Sequence, residues 1–117
     1  MMLFKQKCTT YLSDINMSRY ASQLGYFKDD FSKIFLKTKK KMFPIINRGT
    51  WARVFAYRSL IKRFLTAFKE NSVNILSLGA GYDTTFFWLL QAIESGEIEY
   101  NKDNLFYIEV DFDEVVV

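Results

Sequence analysis

The chain has 117 residues, half of them hydrophobic, a quarter charged and 18% aromatic, which fits one globular domain with a packed core and argues against disorder. A single cysteine, Cys8, and the absence of histidine leave no internal disulfide, no zinc cluster and no histidine-based triad. The start, Met1-Met2-Leu3-Phe4-Lys5, lacks the apolar core of a signal peptide, and no apolar run nears the roughly 18 residues that span a bilayer, so a reducing, cytoplasmic setting without a membrane partner is expected.

The net charge of +3 hides an asymmetry. Residues 1–70 carry fifteen Lys/Arg against four Asp/Glu, a balance of +11, while residues 71–117 carry one against nine, a balance of −8. A basic front can attract phosphate, nucleic acid or an acidic peptide. Much of it is the cluster Lys37, Lys39, Lys40 and Lys41, which reads first as a solvated face at a helix end, where cations also suit the helix dipole.

From the N-terminus, Asp14 or Asn16 can cap a short helix that runs to about Leu24 and stops at Gly25. Asp29 and Asp30 then open a second helix expected to bury Phe31, Ile34 and Phe35. The one proline, Pro44, divides this helical front from an α/β back. Residues Ile45 to Thr50 read as a loop, with Thr50 as N-cap of the strongest helix, whose apolar stripe is Tyr57, Leu60, Ile61, Phe64, Leu65 and Phe68. Arg58, Lys62, Arg63 and Lys69 fall outside that stripe. Val73 to Leu78 reads as a short apolar strand, followed by a helix from about Thr84, a polar loop containing Gly96, and a second strand from Leu105 to Asp111. Strand, crossover helix and strand imply a parallel pair. Two such strands and an apolar finish at Val115-Val116-Val117 look like a fold cut short, expected to be unstable or inactive alone because a parallel sheet needs further covering.

The bend Leu78-Gly79-Ala80-Gly81-Tyr82-Asp83-Thr84-Thr85 stands at the carboxyl end of the first strand with a helix start behind it. Open α/β sheets bind ligands at such a place, because glycine lets a ligand approach the backbone and the helix start offers unpaired N–H groups. No Gly-Lys-Ser/Thr follows, which rules out a Walker loop, and the third glycine of a dinucleotide fingerprint is Thr84 here. A shorter Gly-x-Gly of the methyltransferase kind remains. Asp111, at the end of the second strand, can accept hydrogen bonds from both hydroxyls of a ribose, although it lies farther than the about 20 residues usual in the dinucleotide case. Asp83 reads first as a helix cap, Trp51 and Phe55 as packing, and Arg48 equally as a loop anchor or a solvated side chain.

Three blocks in order, Asn47-Arg48-Gly49-Thr50-Trp51-Ala52-Arg53-Val54, Leu78 to Phe86, and Ile108-Glu109-Val110-Asp111-Phe112, resemble the leucine carboxyl methyltransferase family. Arg19-Tyr20-Ala21 and Gly25-Tyr26-Phe27 extend the resemblance over roughly residues 14–117. It implies a Rossmann-like α/β methyltransferase fold that uses S-adenosyl-L-methionine, truncated here, with a helical lid segment over residues 1–46 and the first part of the methyltransferase domain over 47–117. It further implies that Gly79, with Gly81 in the same turn, approaches the cofactor, that Asp111 binds its ribose and that Arg53 contacts its methionyl carboxylate. The family's lysine in the front segment falls at Ser18, beside Arg19. The best-known members methylate the C-terminal leucine carboxylate of the protein phosphatase 2A catalytic subunit, and related ones act on tRNA in wybutosine synthesis. No metal ligand and no catalytic base are expected.

Overall fold

The computed structural model describes residues 9–35 and 41–111, with the side chains of residues 9–14 and 35 outside the description. Cys8, the lysines at 37, 39 and 40 and the valines at 115–117 therefore lie outside the described residues, as do the side chains of Asp14 and Phe35. The elements are α1 (Thr9–Gln23), α2 (Ser32–Phe35), α3 (Pro44–Ala67), β1 (Val73–Leu78), α4 (Thr85–Glu94), a 3₁₀ turn (Lys102–Asn104) and β2 (Leu105–Val110).

The back half follows the expected course. β1 and β2 pair in parallel, with Val73 opposite Leu105 and Leu78 opposite Val110, and α4 makes the crossover between them. Alternation along each strand aims Ile75, Leu105 and Tyr107 at a core built with Leu65 of α3 and Trp88, Leu89 and Ala92 of α4. Tyr100 closes one end of this core, and its hydroxyl donates to the carbonyls of Asn71 and Asn104, 2.6 and 3.1 Å away. That bridge ties the loop before β2 to the loop before β1, which helps hold the strands in register.

The front half departs from the sequence reading in four places. α1 begins at Thr9, ahead of both proposed caps, and ends as expected at Gly25, whose φ is 83°. The second helix shrinks to one turn: Asp29 Oδ1 accepts from the N–H groups of Phe31 and Ser32, so Asp29 caps it, but Ile34 is exposed rather than buried. Residues 45–50 are helical, not a loop, because Pro44 occupies the first turn of α3, where its fixed φ suits the helix and its missing N–H costs nothing. Thr50 is thus one and a half turns inside the helix, and its hydroxyl donates to the carbonyl of Ile46 at 2.9 Å instead of capping.

The fourth departure concerns which face of α3 is buried. Asn47, Thr50 and Leu65 are buried and Val54, Arg58 and Ile61 half-buried, at steps of three and four residues, while Tyr57, Leu60, Phe64 and Phe68 of the expected stripe face outward. Of the six expected stripe residues Ile61 and Leu65 do lie in the buried face and the other four do not, since α3 also packs against α1 and meets the core of α4 and the strands around Leu65. Arg58 lies in that buried face. Its guanidinium sits 4.7 Å from the ring centroid of Trp88 and 5.5 Å from that of Phe27, and its Nη1 donates to the carbonyl of Lys28 at 2.9 Å. Burial lowers its pKa from the usual arginine value, and the carboxylates of Asp29, Glu97 and Asp83 work in the opposite direction.

Candidate cofactor site

The turn after β1 is shaped by the adjacent strand. The N–H of Gly79 donates to the carbonyl of Val110 at 2.7 Å and that of Ala80 to the same oxygen at 3.4 Å, so the ladder continues past Leu78 before the chain breaks away. Gly79 and Gly81 take φ values of 65° and 56°, in the left-handed region that side-chain-bearing residues avoid. A Cβ placed on Gly79 would meet nothing within 4 Å, so conformation and not crowding demands glycine there, and the space above the turn is open.

Asp111 completes the turn. Its Oδ2 accepts the N–H of Gly81, which brings the carboxylate at the end of β2 directly against the bend at the end of β1. Gly79, Gly81 and Asp111, separated by up to 32 residues in the chain, are thereby one unit. Arg53 is not joined to it: the side chain is exposed on α3 and makes no hydrogen bond or ion pair among the described residues.

The helix start behind the turn is locked from two sides. Asp83 Oδ1 accepts from the hydroxyl and the N–H of Thr85, 2.8 and 3.3 Å away, so it holds the first helical residue from one position ahead of the N-cap, which is Thr84 and not Asp83 as read from the sequence. Thr84, buried, turns its hydroxyl away from the helix to donate to Asp29 Oδ2 at 2.9 Å. Asp29 therefore holds two elements at once, capping α2 with one oxygen and clasping the start of α4 with the other. Stacking of Phe31 on Phe87, 5.3 Å between centroids, reinforces this latch between the front segment and the glycine turn. The sequence reading identified neither the latch nor Arg58. Asp29 and Thr84 stand 55 residues apart, and no local pattern marks them as partners.

Two ionisable groups on β2 respond to this neighbourhood. The phenol of Tyr107 is pushed up to about 12, chiefly by burial, then by the charges of Asp83 and Glu109, with a hydrogen bond to Ser77 acting the other way. The carboxyl of Glu109 is raised above the usual glutamate range by burial and then by Asp83. A separate cleft of about 440 Å³ runs between α3 and α4, walled by Phe27, Trp51, Phe55 and Trp88, and shares no residue with the glycine turn.

A bend with two left-handed glycines between a parallel strand and a helix, closed by a carboxylate from the neighbouring strand, is an α/β arrangement, and α/β proteins are a class that binds ligands at the carboxyl ends of the strands. Comparison with known proteins narrows that class. The profile of the leucine carboxyl methyltransferase family matches residues 3–117, and the chain belongs to that family of methyltransferases. It is 46% identical over 91 residues to a leucine carboxyl methyltransferase 1 homolog of Arabidopsis thaliana, covering 78% of this chain and 25% of the relative. With leucine carboxyl methyltransferase 1 of Aspergillus fumigatus it shares 37% over 103 residues, covering 86% and 25%. Similarity extends to tRNA wybutosine-synthesizing protein 4 of Candida glabrata, 34% identical over 107 residues, covering 92% of this chain and 15% of that protein. The chain thus spans about a quarter of the length of the first two relatives.

Proposed function

We propose that the chain is the cofactor-binding part of a Rossmann-like, S-adenosyl-L-methionine-dependent carboxyl O-methyltransferase, with residues 1–46 as a helical lid and residues 47–117 opening the methyltransferase domain. The observation that carries the reading is the union of Gly79, Gly81 and Asp111 in one turn with open space above it. The residues present suit the cofactor: glycine leaves the backbone approachable, a carboxylate stands where a ribose would lie, and an arginine without a partner remains for a carboxylate. In this reading Gly79 and Gly81 border the cofactor, Asp111 accepts from its ribose hydroxyls and Arg53 pairs with its methionyl carboxylate.

When bound, the cofactor supplies a methyl group activated on a sulfonium sulfur. The acceptor is a carboxylate, with an ordinary pKa near ~3.5, and so is ionised at neutral pH without a general base. The absence of histidine from these 117 residues is therefore no objection to the reading. What the protein contributes is alignment of the two reactants and removal of water from the acceptor oxygens. The substrate we propose is the C-terminal leucine carboxylate of the protein phosphatase 2A catalytic subunit, methylated in the cytoplasm. Resemblance to the leucine carboxyl methyltransferases supports it, with 46% identity to the Arabidopsis relative. The tRNA-modifying branch is the second reading, favoured by the similarity to wybutosine-synthesizing proteins.

Binding of radiolabelled S-adenosylmethionine to the chain and to Asp111→Ala tests the cofactor site, and saturable binding that the substitution removes is expected. The substrate is tested with the whole protein encoded by the reading frame in which these residues stand. Label is expected in a base-labile ester on a peptide ending in leucine with a free carboxylate, and not on the same peptide amidated. Label on tRNA in place of the peptide would transfer the protein to the second branch.

A further inference from the structure

The cleft between α3 and α4 holds about 440 Å³, a size that suits a small molecule, and its walls are aromatic. On α3, Trp51 stacks on Phe55, with 5.4 Å between ring centroids and 23° between planes. The sequence reads this pair as packing, yet the two residues stay 42% and 58% exposed and neither belongs to the core cluster around Leu89. They form a flat apolar surface on one wall, and Trp88 of α4 stands on the other. An aromatic slot of this kind accepts a planar ring by stacking.

The same cleft contains Arg58, whose guanidinium lies against Trp88 and Phe27 and offers more N–H donors than the fold uses. One of them reaches the carbonyl of Lys28, and among the described residues no carboxylate stands at ion-pair distance. Asp29 is held by the N–H groups of Phe31 and Ser32 and by the hydroxyl of Thr84, and Glu97 faces Lys62 at 3.9 Å. Burial lowers the pKa of Arg58, a cost that an anion in the cleft would offset.

Charge and spacing define the anion. Lys28, Arg58 and Lys62 line the cleft against one carboxylate, Glu97, while Asp29 and Asp30 flank it without lining it. The Lys28–Asp30 and Lys62–Glu97 pairs are exposed and weak, so both ammonium groups remain open to a stronger anion. The lining's surplus of two positive charges matches a phosphate monoester, which carries about −1.5 to −2 at neutral pH, better than it matches one carboxylate. Arg58 follows Trp51 by seven residues, a rise of about 10 Å on the same helix. A ring joined to its anion through a sugar spans that distance more readily than a ring bearing the anion directly. Ser59 and Gln91 add hydrogen-bonding groups for a base edge or a ribose.

We propose that the cleft between α3 and α4 binds a nucleoside monophosphate, its base stacked on Trp51 and Phe55 and its phosphate held by Arg58 with Lys28 and Lys62. The site shares no residue with the glycine turn and stands whether or not that turn binds a cofactor.

The chain's two tryptophans both line the cleft, so their emission reports its occupancy directly. Titration of the full 117-residue chain with AMP should quench that emission saturably, and AMP should bind about tenfold or more tightly than adenosine, which lacks the phosphate. Phe55→Ala removes an exposed ring and keeps both tryptophans; it should weaken AMP by about fivefold or more with the thermal melt little changed. Arg58→Lys should reduce the preference for AMP over adenosine. An excess of S-adenosylhomocysteine should leave the AMP titration unchanged, whereas displacement would move AMP to the glycine turn and overturn the proposal. Absence of quenching, equal affinity for AMP and adenosine, or unaltered AMP affinity in Phe55→Ala would also overturn it. Binding of indole-3-carboxylate as tight as that of AMP would assign the cleft to aromatic acids instead. If S-adenosylhomocysteine fails to bind while the AMP results hold, the cofactor reading fails and this site stands.

Discussion

The two faces of the small parallel sheet differ more than any other pair of regions. On one, Ile75, Leu105 and Tyr107 meet α4 and the end of α3 around Leu89, which is fully buried. On the other, Leu76, Leu78, Phe106, Ile108 and Val110 are exposed, Leu78 by 74%. The strands are nearly continuous apolar runs, as parallel strands covered on both faces usually are, yet the described residues cover one face. Fold stability within these residues therefore comes from one side of the sheet, and the glycine turn hangs at the edge of that side.

The largest test of this contrast is a pair of truncations. Leu89→Ala should cost about 3–4 kcal/mol, in the range for an enclosed leucine that leaves a cavity, whereas Leu76→Ala on the open face should cost under ~1 kcal/mol. Equal costs by chemical denaturation would mean that the open face is covered in solution. Next in size is the latch that joins the front to the covered side. Thr84→Val should cost about 1–2 kcal/mol, because it leaves Asp29 Oδ2 without its donor, and Asp29→Ala combined with Thr84→Val should cost less than the sum of the two. Strict additivity in that double-mutant cycle would sever the latch.

Tyr107 gives a pH-dependent contrast on the covered face. Its folded value, pushed up to about 12, exceeds the ordinary value near 10.0, so the unfolded chain ionises first and stability falls as pH rises from about 10 toward 12. Tyr107→Phe should remove that alkaline loss, as read from thermal melts across the range. Glu109 should show the smallest effect. Its raised value means that the folded state prefers the protonated carboxyl, so its contribution turns unfavourable as pH climbs out of the acid range. Glu109→Gln should melt slightly higher than the unsubstituted chain at neutral pH and show no advantage at acid pH.

The back of the molecule was legible because its signals are local. β1 runs from Val73 to Leu78 as read, β2 ends one residue earlier than read and α4 starts one residue later. The glycine turn announced itself by residue type, and Asp111 by its place at a strand end. The front was less legible because tertiary contacts overrule local preference there. Thr50 has the right chemistry for a cap, yet Pro44 had already started the helix. Tyr57, Leu60, Phe64 and Phe68 look like a core stripe, yet the partners of α3 lie around Asn47, Arg58 and Leu65. Arg58 reads as a surface charge, and only the fold reveals its stem between Trp88 and Phe27. For the candidate site, individual residues were visible but their union was not: nothing in the sequence says that Gly81 donates to Asp111, or that Asp29 holds the start of α4.

The central claim is that the turn of Gly79 and Gly81, closed by Asp111, holds a nucleoside. Calorimetric titration with S-adenosylhomocysteine tests it most directly, comparing the chain with Asp111→Asn, which keeps the side chain's shape and an oxygen for Gly81 but loses the charge. The account predicts measurable binding that weakens by tenfold or more on substitution, with the thermal melt little changed. Equal affinity in the two proteins would contradict it.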